Sequence, residues 1–456
     1  MKQMTPEEKY IQMTQTPVEK LIGVLSVPTI ISMLITTIYN MADTFFIGML
    51  DNTSASGAVG IAFSLMAVIQ AVGFYFGQGA GNTASRLLGE HRQQEAEELA
   101  STGFVLAFLF GGALLLFGEI FLDPLAVGLG STDTILPYAR EYIRIVLIGA
   151  PYMTASLVLN NLLRFQGNAL YGMIGLTTGG VLNIVLDPVM MFGLNLGISG
   201  AAAATIISQF VSFLILLYQC NKVGIVKIRL RNFKPSLQNF GMINNGGLPS
   251  LLRQGVGSVA SVCLNVAAKP FGDAAIAAMA IVSRIMLFTN SVVIGLGQGF
   301  QPVCGYNYGA KLYARVRRAF WFCVKISAAF LVVVAAVEIA LAPQFVELFR
   351  KGDPEVVRIG AAALRCQCAT IVVASWIIMS NMMMQTTGQV VPASLLGICR
   401  QGLLLIPLVF LMPFFWGETG LVLAQPVADV ISVIIAIPLQ MRILRKMRQD
   451  ELAMNR

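Results

Sequence analysis

The feature that most constrains this chain is a succession of apolar blocks, each roughly 20 to 28 residues long, separated by short polar stretches. A helix rises about 1.5 Å per residue, so each block is long enough to cross a hydrocarbon layer about 30 Å thick. Inside such a layer no water reaches the backbone, and a helix closes its own hydrogen bonds. Composition agrees. Only 12% of the 456 residues are charged and 56% are hydrophobic, whereas an ordinary soluble domain carries about 25% charged residues. The blocks read as twelve spans: 21–46, 56–81, 98–121, 139–162, 170–193, 198–220, 247–268, 274–302, 319–342, 357–384, 392–414 and 418–441.

The first twenty residues are polar and end in Thr16-Pro17-Val18-Glu19. This reads as an N-cap, a first-turn proline and a capping-box acid, hence a helix start and not a cleavable signal peptide. The seven cysteines (220, 263, 304, 323, 366, 368 and 399) lack the spacing of a zinc site or a disulfide framework. They read as packing thiols.

The net charge of +8 gains meaning from its location. With both termini cytoplasmic, the inner segments hold Lys2, Lys9, Lys20, Arg86, Arg92 and Arg164, the run Lys222 to Lys234, the cluster Lys311 to Arg318, and the tail Arg442 to Arg456. The opposite loops hold Lys269, Arg350, Lys351 and Arg358. The positive-inside rule then fixes the orientation and accounts for the basic balance without nucleic acid as a partner.

A shift of 220 residues places Gly77-Gln78-Gly79 on Gly297-Gln298-Gly299, Gly89 on Gly309, Gly197 on Gly417, Gly200 on Gly420 and Ser212 on Ser432. Six spans separate equivalent positions, and an even number keeps the two halves in one orientation. The expected fold is therefore an all-α membrane protein of twelve transmembrane helices in two parallel six-helix lobes. A pseudo-two-fold axis along the membrane normal relates them, with a cavity between. The expected divisions are an N-terminal segment 1–20, a first lobe 21–220, a connector 221–245, a second lobe 246–441 and a basic tail 442–456.

Several function classes are excluded. Neither Gly77-Gln78-Gly79-Ala80-Gly81 nor Gly305-Tyr306-Asn307-Tyr308-Gly309-Ala310-Lys311 is a phosphate loop, since neither follows a strand. No ATPase domain fits in the loops, so energy for any transport comes from an ion gradient or from the substrate's own gradient. The single histidine, His91, lies in a charged loop, and any proton relay rests on carboxylates. No His cluster or nucleophile with a base supports an enzyme.

Ionisable residues at membrane depth are costly and mark cavities or partners. Asp43, Asp187 and Asp429 are such residues. Tyr39, Asn40 and Asp43 share one helical face in the first span. Asn183 and Asp187 share another in the fifth, where Pro188 frees the carbonyl of Ile184. Carboxylate, amide and carbonyl oxygens together suit a shared proton or a sodium ion. Structural readings remain: Asp43 is close enough to the outer end to reach water, and Asp187 is able to bond a neighbouring helix. The second half carries Arg253, Arg284, Arg365 and Arg400 at membrane depth, so Asp429 reads as a structural salt bridge with Arg400 or Arg284. Pro28 predicts a kink in the first span. Met382-Met383-Met384 suits either an adaptable cavity lining or core packing.

Asp43, the run Asn183-Ile184-Val185-Leu186-Asp187-Pro188 and the run Gly200-Ala201-Ala202-Ala203-Ala204-Thr205, set in twelve spans and two lobes, resemble the multidrug and toxic compound extrusion family, on its DinF-like and MepA-like prokaryotic branch. The resemblance runs over nearly the whole chain. It implies an antiporter exchanging an external proton or sodium ion for small organic cations or lipophilic drugs. It also implies that Asp43, Asn183, Asp187 and Thr205 form a first-lobe cation site, with Tyr39 and Asn40 adjoining, and that Pro28 is a bending point. Some members place an acid in the seventh helix, but here that span offers Arg253 and Lys269 and no acid before Asp273. The first-lobe site is therefore favoured, and protons over sodium. The expected state is a monomer in the bacterial cytoplasmic membrane, in contact with lipid and without cofactor. A flippase for a lipid-linked saccharide is the alternative, favoured if the second-half arginines converge on the cleft. A channel or a transport-inactive receptor is a third reading.

Overall fold

The apolar blocks all fold as helix, because intrahelical hydrogen bonds are what a lipid-facing backbone can form. A computed structural model describes residues 4–50, 53–350 and 352–454. Lys2, Lys351 and Arg456, used above in assigning orientation, lie outside the described residues. In chain order the helices are α1 (Pro6–Gln15), α2 (Val18–Gly48), α3 (Thr53–Gly89), α4 (Gln93–Ile120), α5 (Leu122–Gly128), α6 (Leu136–Phe165), α7 (Ala169–Pro188) and α8 (Gly197–Val223). The second half continues with α9 (Leu237–Ala268), α10 (Asp273–Gly309), α11 (Tyr313–Ala340), α12 (Ala342–Phe349), α13 (Pro354–Thr370), α14 (Val373–Thr386), α15 (Val390–Ile398) and α16 (Ile406–Met454).

Nine of the expected spans are single long helices or a helix with a short continuation. A tenth is α13 and α14, bent 59° at their junction. The continuous stretch Val390–Met454 has 65 residues, about 98 Å of helix if straight and three times a hydrocarbon layer. It is two passes, hinged at Gly417, whose φ of 56° and ψ of −138° leave the helical region. The twelve-helix, two-lobe arrangement follows.

The repeat is visible in the backbone. Gly197 and Gly417 both take positive φ, at 55° and 56°; His91 and Lys311, also 220 apart, both take 59°; and Gly167 and Gly388 take 76° and 77°. The same turn chemistry closes the same helices in each half. Ser212 and Ser432 have diverged: the first donates to the Gly175 carbonyl of another helix, the second to Ala428 on its own.

The chain begins differently from the sequence reading. Thr16 ends α1, and Pro17 stands at the N-cap of α2 without a side-chain cap, so no capping box forms there. Glu19 instead pairs with Arg318 at 2.6 Å. The capping box belongs to Thr5 and Glu8, which exchange hydrogen bonds of 2.7 and 3.2 Å and start α1. That short helix rests across both halves. Lys9 Nζ donates to the Gly167 carbonyl at 2.9 Å, while Asn307 and Arg315 donate to the carbonyls of Met13 and Thr16.

Other boundaries move as well. Helix α8 runs to Val223 and α9 starts at Leu237, so the irregular connector is shorter than 221–245, and the tail is helical through Met454. Arg164 does not lie in a loop but is buried at the end of α6. Arg140 and Arg144 stand at the opposite face, paired with Asp123 and Glu119.

Within the first lobe α6 packs on α3, α4 and α8, and α7 on α2 and α8. The lobes meet through α3 with α9 and through α2 with α10. Small residues let these backbones approach. Gly79 faces the Ile243 carbonyl, Gly89 the Tyr306 carbonyl and Gly309 the Arg86 carbonyl. These contacts lie toward the connector end. Going the other way, the last hydrogen bond between lobes among the described residues joins Thr37 and Ser291 at 3.0 Å. The lobes are thus sealed at one end, and the central cavity lies above the seal.

Candidate functional site

The first-lobe site is positioned by glycines on α7. Gly179 lies on α8, where a Cβ would stand 2.8 Å from Ser212 Cβ, and Gly180 lies on α2, 3.1 Å from Ile35 and Tyr39. Close approach on both sides wedges α7 between α2 and α8. One turn further on, Asn183 and Asp187 are carried into the gap between these helices. Asn183 Nδ2 donates to Asp187 Oδ1 at 3.1 Å and to Thr205 Oγ1 at 3.5 Å. Asp43, Asn183, Asp187 and Thr205 are 6%, 4%, 0% and 6% exposed. These groups are therefore enclosed by the protein's own side chains.

Asp43 and Asp187 stand within electrostatic reach of each other. Asp43 Oδ1 and Asp187 Oδ2 are buried without a hydrogen-bond partner among the described residues. Orphaned buried acceptors are rare and call for an explanation. Two carboxylates with free oxygens, an amide and a hydroxyl suit a proton or a hard cation as transported ion. Past Pro188 the helix widens into a π-helical turn, Val189–Gly193, and Gly200 packs against its Met190 carbonyl. Pro28, by contrast, lies inside the uninterrupted helix α2.

Tyr142 completes this group and was not singled out from sequence. It is 1% exposed, hydrogen-bonds Thr205 and lies within reach of both carboxylates. A lone tyrosine in an apolar span carries no signal of its own; only the packing of α6 against α8 reveals it.

The central cavity, about 770 Å³, lies between the lobes and falls within the range of small-molecule sites. Tyr39, Asn40 and Gly179 line it, each one turn from a member of the buried group. The cavity wall and the carboxylate site are therefore successive turns of the same two helices, on shared faces.

The second-lobe contribution is basic. Arg400 holds Asp429 through Nε at 2.7 Å and a second nitrogen at 3.2 Å, and Gln425 adds a third bond at 2.8 Å. Arg253 and Arg284 line the same cavity and make no ion pair among the described residues; Arg164 joins them from the first lobe. Arg365 does not converge: it is exposed and donates to the Ile339 carbonyl. Asp429 is the sole carboxylate among the described lining residues. Met382, Met383 and Met384 are 2%, 0% and 0% exposed and belong to the core.

A fourth buried acid escaped the sequence reading. Glu338 is 4% exposed and accepts from Thr289 Oγ1 at 2.7 Å and Cys368 Sγ at 3.0 Å. An acid inside the run Val332 to Ala340 was the available signal. Both its oxygens are engaged, which marks it as structural.

The sequence profile of the MatE family matches residues 28–189 and 249–411, two segments starting 221 residues apart, in keeping with the internal repeat. The multidrug export protein MepA of Staphylococcus haemolyticus is 27% identical over 431 residues, which cover 94% of this chain and 95% of that protein. Among solved structures, an outward-facing multidrug resistance MATE family transporter of the MOP superfamily superposes with a TM-score of 0.92 at 26% identity, over 98% of this chain and 100% of that one. A MOP superfamily transporter from Pyrococcus furiosus Vc1 is described as having a binding pocket of reverse polarity that suggests a different function. It superposes with a TM-score of 0.91, again at 26% identity, over 98% of this chain and 100% of that one.

Proposed function

The chain belongs to the MatE family, and on that premise we propose that this multipass membrane protein exports small organic molecules by alternating access, exchanging them for an external proton or sodium ion. The observation that carries the reading is the enclosed group Asp43, Asn183, Asp187 and Thr205, one helical turn from the cavity wall. An ion bound there changes the charge beside Tyr39 and Asn40, and differential affinity of the two states for ion and cargo is what coupling requires.

In this reading the connector and both termini face the cytoplasm of a bacterial cell, as the excess of Lys and Arg at that end supports. The seal formed by Gly79, Gly89 and Gly309 then closes the inner side, and the cavity faces outward. That agrees with the likeness to the outward-facing transporter. MepA is named a multidrug export protein, and a broad range of cargo fits a cavity of about 770 Å³.

The test is efflux from proteoliposomes carrying wild type or Asp187→Asn, under an imposed pH gradient or an imposed sodium gradient. Export driven by one gradient and lost in the variant supports antiport and names the ion. Export that proceeds undiminished in Asp187→Asn removes the carboxylate site from the mechanism.

A further inference from the structure

We infer that the floor of the central cavity is an anion-binding site formed by Arg164 and Arg253, and that the cargo class of this exporter is organic anions bearing a carboxylate, sulfonate or phosphate group, in place of the lipophilic cations suggested by resemblance. This rests on the exporter reading for transport, and on the cavity alone for binding.

The charge inventory is one-sided. Arg164, Arg253, Arg284 and Arg400 line the cavity against the single carboxylate of Asp429, which Arg400 already holds with two nitrogens. Three guanidinium groups remain without a carboxylate among the described residues. Arginine does not shed its proton under these conditions, so the charges persist.

Arg164 is the most telling. It is 2% exposed, and its partners are all neutral: the carbonyl of Gln298 at 3.2 Å, Gln301 Oε1 at 2.8 Å and Asn161 Oδ1. These orient the guanidinium, and the Phe165 ring lies 4.5 Å from it, but no carboxylate among the described residues offsets its charge. Its Nε has no partner, while the group as a whole lines the cavity. Arg253 lies close enough to repel it. Two like charges held together at membrane depth are unfavourable in isolation. An anion placed between them removes the repulsion and accepts charge-assisted hydrogen bonds, bidentate ones from a planar fork. A cationic cargo would add a third like charge to the same floor.

The location has a consequence for transport. Gln298 and Gln301 belong to α10, so Arg164 bridges the lobes at the seal. Gln301 continues the network by donating toward Gln78 and Asn82 of α3. An anion that recruits Arg164 competes directly with the bonds holding the inner end shut.

Charge selectivity is tested with two dyes of the same xanthene scaffold, anionic fluorescein and cationic rhodamine 123. Binding to the purified protein is read by fluorescence anisotropy, and movement is read in proteoliposomes under either ion gradient. Fluorescein is expected to bind more tightly than rhodamine 123. Arg253→Gln is expected to weaken it about tenfold, the worth of one charge-assisted hydrogen bond, and Arg164→Gln likewise. Arg164→Lys keeps the charge and is expected to retain part of the affinity, which a purely latching arginine would not predict. If Arg164→Gln fails to fold, Arg253→Gln carries the test.

A parallel arm measures protein-dependent crossing of fluorescent phosphatidylglycerol against phosphatidylcholine. Crossing of the anionic lipid identifies the headgroup of a lipid as the source of the anion, as in a flippase; transport of fluorescein alone identifies a soluble one. Preference for rhodamine 123, or fluorescein affinity unchanged in Arg253→Gln, overturns the anion site and leaves export intact. Fluorescein binding with no cargo moved by either gradient keeps the site and overturns the exporter reading.

Discussion

Gly89 and Gly309 answer one another across the sealed end: Gly89 lies against the carbonyl of Tyr306, and Gly309 lies against the carbonyl of Arg86. Glycine and carbonyl are three residues apart in each helix, and each contact is the other shifted by 220 positions. The pseudo-two-fold axis thus runs through the seal itself, where neither position has room for a side chain.

Gly89→Ala and Gly309→Ala therefore each prise the seal open. Overpacking of this kind costs about 1–3 kcal/mol, enough to shift the balance between states roughly 5- to 150-fold. Cys304, buried near this contact, is the reporter. Maleimide labelling of Cys304, read by mass spectrometry, is expected to accelerate in both variants. Unchanged labelling would show that the seal tolerates a methyl group.

At the first-lobe site, Asp43→Asn and Asp187→Asn are expected to abolish ion-driven export while leaving folding intact, because each carboxylate has a buried oxygen without a partner. Thr205→Ala removes the hydroxyl that accepts from Asn183. If sodium is the coupling ion, this variant raises the sodium needed for half-maximal export about 10- to 100-fold, as loss of a supporting contact does at metal sites. If the proton is the ion, only the pH dependence of export moves.

The Arg400–Asp429 pair is expected to behave as a buried ion pair. Asp429→Leu strands Arg400 and costs about 3–5 kcal/mol. The double variant Asp429→Leu with Arg400→Met recovers most of it, since two well-packed apolar side chains replace a desolvated pair of similar volume. Denaturation midpoints in detergent measure both. Equal losses in the single and double variants would show that the ion pair is not what stabilises this contact, since the remaining bond from Gln425 lies within α16 itself.

Helix α1 gives a pH prediction. Burial pushes the Lys9 ammonium down from about 10.5 to about 8. Below about 8 the ammonium stays charged whether α1 is docked or free, and docking bears the whole cost of burying it. Between about 8 and 10.5 the free helix binds a proton that the docked helix does not, so docking strengthens as pH rises through this window. Chymotryptic cleavage at Tyr10, corrected against an unfolded substrate, is expected to slow from pH 7.5 to 9.5. In Lys9→Met that pH dependence should vanish.

Sequence alone determined what local periodicity determines. Length and hydropathy defined twelve spans, a 220-residue shift revealed the duplication, and spacings of three and four placed Tyr39, Asn40 and Asp43 on one face and Asn183 and Asp187 on another. Such facts are legible because helical geometry links neighbours in sequence. The bend between α13 and α14 was not legible, having neither proline nor glycine at Ile371 and Val372. Nor was α1, a ten-residue helix whose docking depends on partners as distant as Gly167 and Asn307. The tertiary structure decided which charges meet: that Asp429 is consumed by Arg400, that Tyr142 joins the carboxylates, and that Arg164 is buried at the end of a helix and lines the cavity together with Arg253. Those are contacts between helices far apart in the chain. The sign of the cavity's charge depends on which side chains remain unpaired after packing, and no periodicity in the sequence carries that information.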